Sequence, residues 1–205
     1  MVSVLHAPVR DAIRRVQRIQ TITIVWMSVE AGVSLSAAWK AHSPALVAFG
    51  GDSAIELLSA AVVLRRFGSR DAQEHAEKSA SHVAGALLFV LATFVVAASA
   101  LTMLGYSEPE PSYMGIAVLI AAMAIMPWLA WEKRRLSAIT GSAALKADAA
   151  ESALCAYLSL VTLVGMAVNA IWHLAWADPV AGLAVTPLIV IEGRRAIRGN
   201  ACGCC

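Results

Sequence analysis

The sequence predicts an all-α, polytopic membrane protein with six transmembrane helices and both termini in the cytoplasm. Three observations carry this expectation. First, the chain of 205 residues is 59% hydrophobic and only 15% charged, with a mean hydropathy of +0.69. A soluble domain is close to half apolar and about a quarter charged, so the excess apolar surface has to face lipid. Second, the apolar residues fall into six runs, each near the roughly 20 residues a helix needs to cross a bilayer. Third, all but Lys40 of the 16 lysines and arginines lie on one side of those runs.

The spans are expected at residues 19–39, 44–64, 81–104, 113–131, 143–170 and 174–191. Pro44, after Ala41-His42-Ser43, opens the second at its first turn, where a missing N–H costs nothing. Gly50 and Gly51 inside it permit close backbone approach and local irregularity. Glu108-Pro109-Glu110-Pro111 is a polar turn between the third and fourth. Asp178-Pro179 marks the start of the sixth. Pro127 and Pro187 lie within spans, which bilayer helices tolerate. Trp39, Trp128, Trp131, Trp172 and Trp176 sit near span ends, as an interfacial belt requires, whereas Trp26 fits that pattern less well.

The basic residues give the orientation. Arg10, Arg14, Arg15 and Arg18 precede the first span; Arg65, Arg66, Arg70 and Lys78 follow the second. Lys133, Arg134, Arg135 and Lys146 separate the fourth from the fifth, and Arg194, Arg195 and Arg198 follow the sixth. The positive-inside rule places all of these in the cytoplasm. The chain then divides into a basic cytoplasmic segment at 1–18, a transmembrane domain at 19–197 and a cytoplasmic cysteine-rich tail at 198–205. No short apolar segment with a small-residue cleavage site opens it, so the N-terminus is read as uncleaved. A net charge of +2 is too small for a nucleic-acid binder, and no nucleic-acid partner is expected. Three of the four cysteines crowd the last four residues, which is no disulfide framework.

Two acidic clusters interrupt these apolar runs. Asp52 and Glu56 are four apart in the second span; Asp148, Glu151 and Cys155 follow i, i+3, i+7 in the fifth. Each set shares one helix face. A charged side chain at bilayer depth costs on the order of 2.5–3.5 kcal/mol on insertion scales and defaults to a functional reading. The competing reading is that the acids pair with basic residues. No Lys or Arg falls within the core of any expected span, so no partner is expected there; Asp148, two residues from Lys146, is the one expected near the interface. Carboxylates with one thiolate suit a divalent ion near tetrahedral geometry, such as zinc. The sulfur tilts the choice toward zinc, cadmium, cobalt or iron and away from magnesium or calcium. Burial and like charge both disfavour ionisation. An empty site would therefore hold protons that an arriving cation displaces, which makes metal/proton exchange the expected mechanism. No prosthetic group is expected.

The order of these features resembles the cation diffusion facilitators, the cation efflux family. Ser43-Pro44-Ala45-Leu46 with Asp52 nine residues after the serine is similar to the family's second span, and Glu56 falls on its second ligand position. Ala147-Asp148-Ala149-Ala150-Glu151-Ser152-Ala153-Leu154-Cys155 is similar to the family's fifth span, with Glu151 in place of the usual His and Cys155 in place of Asp. Asp178-Pro179 also resembles the family. The resemblance implies efflux of zinc or a similar ion by alternating access, through a site of Asp52, Glu56, Glu151 and Cys155 supported by Asp148. It implies a dimer, formed here through membrane helices that small residues let approach closely. It also implies a short form, without the family's cytosolic C-terminal domain.

Further candidates lie outside that set. Glu30, in the middle of the first span, is a candidate proton carrier, accessory ligand or interhelical hydrogen-bond partner. Asp71, Glu74, His75 and Glu77 make either a second metal site or a solvated helix face. Cys202, Cys204 and Cys205 suit a metal-capture arm, since clustered thiolates bind soft metals, or a lipidation site. His6, His42, His82 and His173 lie at ends or interfaces and are read as ordinary polar groups. Two other function classes remain open from sequence: a membrane metal sensor working through the tail, and an intramembrane metalloenzyme. The second lacks a His-Glu-x-x-His motif and a nucleophile–base pair.

Overall fold

The computed structural model describes residues 7–66 and 73–198. Six helices run in order: α1 Ala7–Ala41, α2 Pro44–Arg66, α3 Gln73–Met103, α4 Tyr113–Thr140, α5 Ala143–Trp172 and α6 Ala177–Ile197. No strand occurs among the described residues. Each expected span lies within one helix, except that the third helix ends one residue early and the sixth begins three residues late. α1 starts at Ala7, so much of the basic N-terminal segment is helical, and α4 runs past residue 131 to Thr140. The tail cysteines Cys202, Cys204 and Cys205 lie outside the described residues, as do Asp71 and the side chains of Glu74, His75 and Glu77.

Helices α1, α3, α4 and α5 are long and apolar enough to cross a membrane. Helices α2 and α6 carry Asp52, Glu56, Asp178 and Glu192, and these acids lower their hydropathy. The chain is thus a polytopic helical bundle. Around the bundle α1 packs on α2, α2 on α3, α3 on α6, α6 on α5, α5 on α4 and α4 on α1; α2 also meets α5 and α6 across the ring. The α2–α5 contact brings the helices of the two acidic clusters together.

The buried stripes show why. On α1 the buried residues include Val16, Gln20, Thr23, Met27, Glu30, Ser34 and Ala37, spaced three or four apart. On α5 they include Leu145, Asp148, Ser152, Cys155, Thr162, Met166 and Asn169. Both stripes are more polar than the lipid-facing residues Val25, Val29, Leu160 and Val164. This inverts the soluble pattern, because lipid solvates apolar side chains as well as a core does.

Glycines set the helix spacings. A Cβ at Gly50 would lie 2.8 Å from Ser34 Cβ and 3.1 Å from the Leu35 backbone nitrogen, so α1 and α2 meet backbone to backbone there. The close approach expected at Gly50 is present, while α2 remains continuous through Gly50 and Gly51. At the α1–α2 turn His42 adopts a positive φ of 49°. Ser43 Oγ then accepts from Leu46 N at 3.1 Å, capping α2, and donates to Asp178 Oδ2 of α6 at 2.5 Å. Ser112 and Ser142 cap α4 and α5 in the same way.

Candidate metal centre

Asp52 and Glu56 of α2 and Cys155 of α5 converge. Each offers a ligand atom, and those atoms all lie within 4.8 Å of one another. Cys155 is fully buried, and Asp52 and Glu56 are each 6% exposed. The i, i+4 spacing puts the two carboxylates on one face of α2, and the α2–α5 contact supplies the sulfur. Two oxygens and one sulfur at these separations can close around one small cation, leaving a fourth position open.

Glu151 stands apart from this trio. It lies one turn ahead of Cys155 but at the border of the buried stripe, and it is half-buried. Its charge still acts on Asp52 and Glu56. The stripe on α5 runs through Asp148, Ser152 and Cys155 instead, because those positions face α1, α2 and α4.

Glu30 is the site's second layer. Wholly buried on α1, it accepts from Ser53 Oγ at 2.6 Å, from Trp26 Nε1 at 2.5 Å and from Cys155 Sγ at 3.4 Å. Ser53 Oγ also lies 3.9 Å from Cys155 Sγ. Glu30 therefore joins three helices at the thiol. Trp26, the misfit in the interfacial belt, is accounted for as a donor to that carboxylate.

One expectation is overturned. The acids were expected to have no basic partner in the spans, yet Lys133 of α4 is wholly buried and pairs with Asp148 Oδ2 at 3.0 Å. Asp148 is 1% exposed, so it is not interfacial, and Lys146, expected to neighbour it, is exposed. Gln20 Nε2 adds a 2.6 Å bond to the same Asp148 oxygen. Lys133 Nζ also donates to Ser152 Oγ at 2.8 Å, and Ser152 Oγ lies 3.2 Å from Glu56 Oε1. Asp148 thus belongs to an ion pair beside the trio rather than to the trio itself.

Sequence reading placed Lys133 in a loop because Glu132-Lys133-Arg134-Arg135 looks like cytosolic punctuation. The missed signal was periodicity: Ala122, Met126, Leu129, Lys133 and Leu136 form one buried stripe. Glu192 was missed likewise. It falls three residues after Ile189 on the stripe Asp178, Gly182, Val185, Ile189, is half-buried, and interacts with the charges of Asp52, Glu151 and Arg195. His42, His82 and His173 are exposed and take no part in the trio.

An acidic and thiol-bearing centre enclosed by a helical membrane bundle defines a cation-handling membrane protein. The profile of the cation efflux transmembrane domain matches residues 21–201, and the chain belongs to the cation efflux family, whose members are metal cation transporters rather than enzymes. A comparison with curated proteins finds no match.

Proposed function

We propose that the protein exports divalent transition-metal ions, zinc and ions like it, from the cytoplasm in exchange for protons. The observation that carries this reading is the buried convergence of Asp52, Glu56 and Cys155 across α2 and α5. A set of two carboxylates and a thiol without histidine favours zinc, cadmium, cobalt or iron over magnesium and calcium. Glu151 serves as a fourth, entrance-side ligand, and Glu30 orients the thiol. The ligands have to be deprotonated to bind, so metal entry releases protons and proton return releases metal. Alternating access then requires the α2–α5 contact to open toward each side in turn. The basic residues place both termini in the cytoplasm, and the assembly is a homodimer formed through the membrane helices.

Uptake of zinc, cadmium, cobalt, iron and manganese into proteoliposomes tests the reading, comparing the intact protein with Asp52→Ala. Expected is uptake of at least one of these ions, driven by a proton gradient and abolished by the substitution. Equal uptake by both proteins would refute the site, and flux indifferent to the gradient would refute the exchange.

A further inference from the structure

We infer that Lys133 is a tethered cation that weakens the metal site: its fixed charge competes with the bound ion for Glu56 and so promotes release. This rests on reading Asp52, Glu56 and Cys155 as the metal ligands.

Lys133 has three N–H donors to place, and one of them goes to a residue that touches the metal centre. Its Nζ splits its bonds between Asp148 Oδ2 at 3.0 Å and Ser152 Oγ at 2.8 Å, and Ser152 carries the contact on to Glu56 Oε1 at 3.2 Å. The ammonium is therefore two hydrogen bonds from a metal ligand. The Asp148 carboxylate is itself taken up by Lys133 and Gln20. The ammonium thus bonds both the Asp148 carboxylate and the hydroxyl that contacts Glu56, and Gln20 Nε2 donates to the same Asp148 oxygen at 2.6 Å.

The whole arrangement is buried, Lys133 wholly so and Asp148 at 1% exposure, so the charges interact several-fold more strongly than in water. With the site empty, the ammonium offsets the mutual repulsion of Asp52 and Glu56. With a divalent ion bound, the same ammonium repels it. A transporter needs a site that fills and also empties, and a cation built into the wall limits affinity without removing a ligand.

The test uses the full chain in lipid nanodiscs and equilibrium dialysis of radioactive zinc and cadmium, with flux measured in parallel. Lys133→Gln keeps a donor for Ser152 and Asp148 but removes the charge. It is expected to tighten metal binding about tenfold or more, with a lower KM and a lower maximal flux. The double variant Lys133→Gln, Asp148→Asn removes both members of the ion pair, so neither is left without its partner, and it decides the matter if the single variant does not fold. Its binding is expected to tighten by a smaller factor, because the Asp148 charge is lost as well, while Lys133 is the member of the pair bonded to the serine that contacts Glu56. Unchanged or weaker binding in a folded variant would overturn the inference, since a purely structural lysine would alter thermal stability and leave KM where it was. Wild-type binding that depends on Asp52 but not on Lys133 overturns this inference alone. Absence of Asp52-dependent binding in the wild type overturns the metal site and this inference with it.

Discussion

Removing the carboxylate of Asp178 should destabilise the bundle while leaving the metal centre intact. Asp178 is 1% exposed. It accepts from Ser43 Oγ at 2.5 Å and from Ala45 N at 3.2 Å, tying the start of α6 to the first turn of α2. Hydrogen bonds to a charged acceptor are worth about 1.5–3 kcal/mol each, and buried donors left without a partner add to the loss. Asp178→Ala should therefore cost about 4 kcal/mol. For a chain of this size one kcal/mol moves Tm by roughly 2–4 °C, so a fall of about 10 °C is expected. Asp178→Asn keeps an acceptor oxygen and should lose about half as much. Glu192, whose charge reaches Asp52, lies 14 residues further along α6, or about 21 Å of helix. Metal affinity of folded Asp178→Ala should accordingly match the wild type. The assay is tryptophan fluorescence melting in detergent, with metal titration well below Tm. An unchanged Tm would refute the argument, and lost metal binding at a normal Tm would place the role of Asp178 at the metal centre instead.

Other outcomes follow from the same geometry. Cys155→Ser should lower affinity for cadmium far more than for manganese, because it removes the soft donor and keeps a hydroxyl; parallel titrations of the two ions check this. Metal affinity should fall as pH falls, since the carboxylates and the thiol bind metal only when deprotonated; proton release on zinc addition to weakly buffered protein measures it directly. Gly50→Ala should cost about 1–3 kcal/mol by forcing α1 from α2 at Ser34 and Leu35, read as a lowered Tm. Glu30→Ala should leave the Ser53 and Cys155 donors and Trp26 Nε1 without their shared acceptor, lowering Tm and slowing flux; Glu30→Gln, which keeps one acceptor oxygen, should be milder.

The helices were legible because their signals are local. Span length, the Pro44 start and the Glu108–Pro111 turn each depend on neighbours in sequence, and they recur as helix ends in the structure. Asp52, Glu56 and Cys155 were legible for the same kind of reason: a charge in an apolar run is conspicuous, and helical spacing says which residues share a face. What failed was partner assignment. Lys133 reads as the first residue of a basic loop, and nothing within four positions of it hints at Asp148, 15 residues on and across a helix turn. The burial stripe on α4 would have placed Lys133 inward, but a lysine on an inward stripe is costly unless a carboxylate waits there. That information is held by another helix.

The sequence by itself determined that this chain is a six-helix membrane bundle with an acidic, thiol-bearing interior, because hydropathy and period are one-dimensional properties. Only the tertiary structure decided which of those acids meet. The α2–α5 contact brings Asp52, Glu56 and Cys155 together, and the α4–α5 contact hands Asp148 to Lys133. The reason is physical: a carboxylate's role depends on the charge opposite it, and helix packing chooses that neighbour.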